Sequence, residues 1–368
     1  MVPAHQGRAG RRAGPPASEP VYRPLLAGRR GEFEALRHLD PRTAALLSPV
    51  IVLSTVDRST LDALGRLPAG LVPAVDLRAV PHTPEAEPAR WGVPVIPVVG
   101  LTEDDHRLVA YGAAARSSAQ RAVVRLPADR SWTGPDAATA GLERVCRLTG
   151  LLPEQLDLLV DAGDVCCPAD VRLAESRVRR VLEWARRHPW RSATVASGAM
   201  PPALSGLPTD EPVRVDRWDR VLWRRLADLG VGYADYGITP AGPVDREPGD
   251  RLPTVRYTAG DAWWVYRWSR RGGRGDERFA DLCRTLVAAP HWAAAGAAFS
   301  WGDQEFLRRA RRVTGAGSPT NWLAWGTSHH VAQVLAELVA PQRERRAADG
   351  WSARHRPPRG TGRPAAPR

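Results

Sequence analysis

Eight short apolar runs recur between residues 21 and 237, and most are followed by a segment with helical spacing. They are VYRPLL (21–26), SPVIVLST (48–55), LVPAVDLR (71–78), VPVIPVV (93–99), RAVVRLP (121–127), LDLLVDAGD (156–164), SATVASG (192–198) and VGYADYG (231–237). Strands that are apolar on both faces must be covered on both, and strands separated by helices pair in parallel through crossover connections. Two architectures satisfy this, a closed eight-stranded barrel and an open doubly wound sheet. The count and the even spacing favour the (β/α)8 barrel of the TIM type. No G-x-G-x-x-G follows the first run, which removes the main sign of a dinucleotide-binding sheet. Residues 79–92 are too rich in proline for a full helix.

The intervening helices are expected at 32–39, after Ser59 or Thr60 as N-cap, and at 103–118, 135–149, 168–188 and 216–229. Beyond the barrel, PTVRYT (253–258) and AWWVYRW (262–268) read as a hairpin. Helices are expected near 275–288 and 303–313, with Asp303 capping the second, and a last one near 327–340 after the aromatic segment TNWLAWGTSHH. The organisation expected is a leader at 1–20, one domain at 21–340 (barrel 21–240, extension 241–340), and a disordered basic tail at 341–368.

The formal charge of +12 suggests nucleic acid, but the tails carry most of it. Residues 1–20 contribute +2 and residues 341–368 contribute +6, which leaves +4 on the presumed folded body. Polyanion or weak nucleic-acid binding is therefore expected of the tails, if anywhere. No apolar stretch reaches membrane-spanning length and no secretory leader is apparent, so no membrane partner and a cytoplasmic location are expected. Four cysteines, at 146, 166, 167 and 283, show no zinc spacing and read as small hydrophobes. No metal site is expected, and no cofactor can be named.

Several segments together resemble the beta protein family of bacteria and phages, named after a phage T4 protein. They include Tyr22-Arg23-Pro24-Leu25 with Gly31-Glu32, Pro73 to Arg78, Trp91 to Val95, Leu158 to Gly163, Trp190-Arg191-Ser192, Ala234 to Gly237 and Arg256-Tyr257-Thr258. The most specific are Phe299-Ser300-Trp301-Gly302-Asp303 and Trp325-Gly326-Thr327-Ser328-His329-His330. The resemblance spans about residues 21–340 and implies a single domain associated with phages or mobile elements, with no agreed reaction. Members commonly carry an acid after the segment matching Pro49-Val50-Ile51. Here that position is Val52, which implies a lost or altered activity if the acid is catalytic.

In a barrel the C-terminal strand ends converge on one mouth, where active sites are built. Asp76, Asp161 and Asp235 stand there as candidate catalytic groups or cation ligands. Glu32, Arg78, Arg125 and Tyr236 are candidate ligand contacts, with Arg256, His329 and His330 added from the extension. Arg78 and Arg125 suit a phosphate or carboxylate. The alternative is an internal network in which these acids and arginines balance one another. Adjacent histidines on a helix point about 100° apart, so His329 and His330 are expected to pack or hydrogen-bond rather than chelate. The tryptophans from Trp263 to Trp325 are expected to fill the seam between extension and barrel. Two functions remain open, an anion-binding enzyme and a non-catalytic scaffold or protein partner in a phage-defence or phage-takeover system.

Overall fold

The computed structural model of the chain describes residues 21–242, 252–269 and 275–354. Residues 1–20, 243–251, 270–274 and 355–368 lie outside the described residues, and with them the expected leader and the end of the expected basic tail.

Each of the eight apolar runs becomes a strand of one closed parallel barrel. They are β1 (Tyr22–Leu26), β2 (Val50–Val52), β3 (Ala74–Asp76), β4 (Ile96–Val99), β5 (Ala122–Pro127), β6 (Leu156–Asp164) and β7 (Ser192–Gly198). After β8 (Pro212–Asp216), which stands outside the ring, comes β9 (Gly232–Asp235), paired in parallel with both β7 and β1. The barrel helices are α1 (Arg30–Arg37), a one-turn α2 (Pro41–Ala44), α3 (Arg58–Gly65), α4 (Asp105–Ser117), α5 (Pro135–Thr149), α6 (Pro168–Ala185) and α7 (Trp218–Arg225). Between β3 and β4, Pro84–Ala86 and Pro88–Arg90 form single 3-10 turns. Pro88 has no N–H to give the Pro84 carbonyl, so the first turn cannot continue as a longer helix. The cap of α3 is Asp57 rather than Ser59 or Thr60, because its carboxylate accepts the Thr60 N–H at 2.7 Å.

Strand parity sorts the side chains. Leu25, Val50, Ala74, Ile96, Val98, Val123, Leu159, Ala196, Ala234 and Tyr236 form one cluster inside the barrel. Their alternates, among them Tyr22, Ile51, Val75, Val124, Leu158 and Tyr233, pack outward against the helices. Several inward positions one step nearer the strand ends are charged, Arg23, Arg121 and Asp157 at one end and Asp76, Arg125 and Asp161 at the other.

The extension is an insertion within the barrel pattern. β10 (Thr254–Ala259) and β11 (Ala262–Arg267) form the expected hairpin, and β8 joins it to make an antiparallel sheet in the order β10-β11-β8. α8 (Gly275–Val287) and α9 (Trp301–Ala310) follow. The cap of α9 is Ser300, whose hydroxyl accepts the Asp303 N–H, while Asp303 itself sits in the first turn. α10 (Pro319–Arg354) begins eight residues before the expected start at 327 and takes in the aromatic segment. Trp322 and Trp325 join Tyr257, Tyr266, Trp268, Phe279 and Phe306 in a core of the extension's own. Further along, Val331, Val334, Leu335 and Leu338 pack into the barrel's outer core. α10 thus serves as the eighth barrel helix, lying against α1 and β1. The crossings are close: a Cβ on Gly31 would meet the Thr320 carbonyl at 2.5 Å, and one on Gly302 would overlap the Trp325 carbonyl.

The tryptophans therefore divide. Trp263 fills the seam, packed in the barrel's core, and Trp301 reaches it by stacking on His38 of the α1 end at 3.7 Å. Trp264, Trp268, Trp292, Trp322 and Trp325 belong to the extension's interior.

Candidate functional site at the barrel mouth

Asp76, Arg78, Arg125, Asp161 and Tyr236, from the ends of β3, β5, β6 and β9, meet in one connected network. Arg78 grips Asp76 with Nε at 2.9 Å from Oδ1 and Nη2 at 2.7 Å from Oδ2. Arg125 Nη1 donates to the same Asp76 Oδ2 at 2.8 Å. Its Nε and Nη2 donate to Asp161 Oδ2 at 2.9 and 2.5 Å. The Tyr236 hydroxyl donates to Asp161 at 2.7 Å and accepts from Arg125 at 2.8 Å. Asp161 Oδ1 also accepts the Gly163 N–H at 3.0 Å.

Burial works to raise the Asp76 carboxyl, but the hydrogen bonds and charge of Arg78, then those of Arg125, hold it below the usual range. Burial and the Asp161 charge push the Tyr236 hydroxyl well up, so it stays a donor. The network balances two acids with two arginines. Its most accessible member is Arg78, whose side chain is 31% exposed and whose Nη1 takes part in none of these bonds. At the same level on β2 the inward residue is Val52, in register with Asp76, so the β2 side of the mouth offers an apolar wall.

Asp235 does not join this group. It neighbours Tyr236 on β9, and successive strand residues leave opposite faces. Asp235 therefore points outward, away from Asp161, into a sealed second network. Its Oδ1 accepts from Tyr22 at 2.5 Å and from the Gly237 N–H at 2.9 Å. Its Oδ2 takes Tyr233 at 2.8 Å, His330 Nε2 at 3.0 Å and Arg217 Nη2 at 3.3 Å. The single Tyr233 hydroxyl proton is shared between Asp235 and Asp219, both of which lie within its reach. His330 Nδ1 meets the Thr258 hydroxyl at 2.8 Å, which ties β9, β10 and α10 together. His329 turns the other way, with Nδ1 on Asp303 at 2.9 Å and Nε2 on the Thr258 carbonyl at 2.7 Å. The two histidines thus reach into different carboxylate networks, around Asp235 and Asp303, that meet at Thr258. Glu32 is buried and accepts the Arg29 N–H at 2.8 Å, closing the first turn of α1. Among the described residues, no three or more His, Cys, Asp or Glu side chains gather as a metal site would require.

Arg256 behaves differently from these. α10 sets its height: a Cβ on Gly326 would touch both Ile238, just past β9, and the Arg256 carbonyl. Arg256 therefore stands at the rim beside the ends of β9 and β1. Its Nε is sealed without a partner. Burial and the nearby Arg29, in the loop after β1, bring its pKa down to about 10. Arg29 is half-buried, and the neighbouring acid Glu32 accepts the Arg29 backbone N–H.

Sequence reasoning missed Arg29 and Arg217. Arg29 sits in a loop with no periodicity to mark it. Arg217 lies where the β8 strand was unrecognised, and its burial follows from that strand's position.

A family model described as Beta protein matches residues 22–336. Among solved structures the chain is similar to triosephosphate isomerase from Bartonella henselae, at 12% identity over 58% of this chain and 90% of that one, with a TM-score of 0.31. A likeness at that level adds nothing to what the strand order already shows. No curated protein matches the chain.

Proposed function

The chain belongs to the Beta protein family, and from the geometry of its mouth we propose that it binds a small anionic, phosphate-bearing ligand there, with Arg256 and Arg29 as the charged contacts. The observation that supports this reading is Arg256, a half-buried cation whose Nε is sealed, with no carboxylate partner among the described residues and a second cation beside it. Such an arrangement is costly unless an anion completes it. Arg78 adds a donor from β3, two strands along the ring from β1, held in place by Asp76.

The carboxylates hold this site rather than react in it. Asp76 and Asp161 each already accept bonds on both oxygens, and Asp235 faces away from the mouth. A general base needs a free lone pair within reach of its substrate. Saturation of these acids, with the apolar Val52 beside Asp76, also favours a second reading, a non-catalytic scaffold of a phage-defence or phage-takeover system.

Calorimetric titration with inorganic phosphate, nucleoside phosphates and sugar phosphates separates the two. One charge-assisted hydrogen bond contributes about 1.5–3 kcal/mol, so Arg256→Ala should weaken binding roughly 10- to 150-fold. Binding that survives both Arg256→Ala and Arg29→Ala would place the ligand elsewhere. No binding at all by the unaltered protein would leave the scaffold reading. Polyanion binding by the basic segments 1–20 and 341–368 is tested separately, by removing them.

A further inference from the structure

The end of the barrel opposite the mouth holds a second group of inward charges, and this one does not balance. Arg121 lies two residues before inward Val123, and Asp157 two before inward Leu159. Arg23 lies two before inward Leu25, and the β1–β2 register sets it beside Ser48. Three guanidiniums surround the one carboxylate: Asp157 Oδ2 is 3.4 Å from Arg23 Nη2 and 3.7 Å from Arg121 Nε, and Oδ1 is 3.9 Å from Arg191 Nε. These separations are too long for good hydrogen bonds, in contrast to the 2.5–2.9 Å contacts of Arg125 at the mouth. Asp157 Oδ1 is satisfied by Ser192 at 2.6 Å, but Oδ2 takes no well-formed bond.

Donors are left over as well. Arg23 Nη1, Arg121 Nε and the Ser48 hydroxyl are sealed from solvent with no partner among the described residues. Arg23 is 6% exposed and Ser48 1%. Burial lowers the pKa of both Arg23 and Arg121; Asp157 opposes this, and the neighbouring arginines add to the fall. Arg23 and Arg121 against Asp157 leave one net positive charge in the largely buried cluster, Arg191 being exposed, and with sealed donors left over this calls for a monovalent anion. Above it Leu25, Val123 and Leu159 close the space, so no organic group can trail upward from such an anion. Asp157 would repel a dianion twice as strongly as a monoanion.

We propose that a small monovalent inorganic anion of chloride's size occupies the closed end of the barrel, held by Arg23, Arg121 and Ser48, as part of the folded structure. This is independent of the mouth, and the test keeps the two apart. Thermal unfolding of the full chain is compared in chloride and in gluconate at equal ionic strength. Chloride at about fivefold excess over its dissociation constant should raise Tm by about 2 °C, saturably. The rise should persist in Arg256→Ala, persist or grow in Asp157→Asn, and vanish in Arg23→Met. Equal Tm values in the two salts, or a chloride response unchanged in Arg23→Met, would overturn the proposal. If Arg23→Met does not fold, crystals of the unaltered protein grown in bromide decide. An anomalous peak between Arg23 and Arg121 supports the anion, and its absence refutes it.

Discussion

Replacing Asp235 by asparagine removes one charge from the point where barrel, hairpin and last helix meet. The carboxylate takes five donors, and the amide keeps an oxygen for Tyr22 and the Gly237 N–H. On the other side it presents an NH2 to Tyr233, His330 and Arg217, all three of them donors to Asp235 now. Arg217 is fully buried and would be left with Asp219 at 3.4 Å and, further off, Glu337 at 3.8 Å. Removing one partner of a buried ion pair costs about 3–5 kcal/mol. Asp219 is pushed up by burial and, in part, by Asp235 itself, so the substitution relieves it and the lower end applies. A loss of about 3 kcal/mol corresponds to a fall in Tm of about 4–5 °C for a domain of this size.

The pH dependence has a definite sign. Burial works to raise Asp235, but His330, Arg217 and the hydrogen bonds hold it well below the usual carboxylate range. Its stabilisation is therefore fully present above the unfolded value of about 3.9 and drains away as pH falls toward the folded value. In urea titrations the gap between the two proteins should be constant from about pH 5 to 7 and narrow below about pH 4. A loss under about 1 kcal/mol, or a gap that widens on acidification, would refute the assignment of Asp235 as a structural anion.

The same reasoning makes three further predictions. Arg256→Ala should leave unliganded stability unchanged or raise it slightly, since it removes a half-buried cation with no carboxylate partner among the described residues; a loss above about 1 kcal/mol in urea would mean that Arg256 has a structural partner. Gly302→Ala should cost about 1–3 kcal/mol or more, because the new methyl overlaps the Trp325 carbonyl where α9 crosses α10; a neutral result in denaturant titration would show that the crossing can open freely. Cys166 is exposed, whereas Cys283 is fully buried with its thiol pushed up by burial, so a thiol reagent should modify Cys166 in the native protein and Cys283 only on unfolding. Equal rates of modification, followed by mass spectrometry, would contradict this packing.

The barrel was legible because each strand is a short, predominantly apolar run, and the connection between β3 and β4 announces itself by its prolines. What escaped depended on partners remote in the chain. β8 is largely exposed, with Pro212 at its start, and becomes a strand only by pairing with β11, about fifty residues later. Gly326 reads as a helix breaker, yet α10 runs through it because a larger residue would strike Ile238. Asp235 and Tyr236 look equivalent as neighbours at a strand end, and only the parity of the closed barrel sends one inward and the other out. Parity was also the overlooked signal at the closed end. Arg121 and Arg125 are four apart on one strand, as are Asp157 and Asp161, so each pair places one charge at either end of the same interior.

That α10 completes the ring of helices has a kinetic consequence. Tyr22, the first residue of β1, bonds to His330, 308 positions later, and the whole hairpin-and-helix insertion must be made before that contact exists. Contacts between such distant segments form slowly, because the chain entropy they cost is spent before they reward it. During synthesis β1 and α1 would emerge early, yet their outer apolar faces would stay uncovered until the last helix arrived. Over that interval the nascent chain presents Tyr22, Phe33 and Leu36 to its surroundings, which makes the wait for α10 the stage of biogenesis most open to aggregation and most in need of a chaperone.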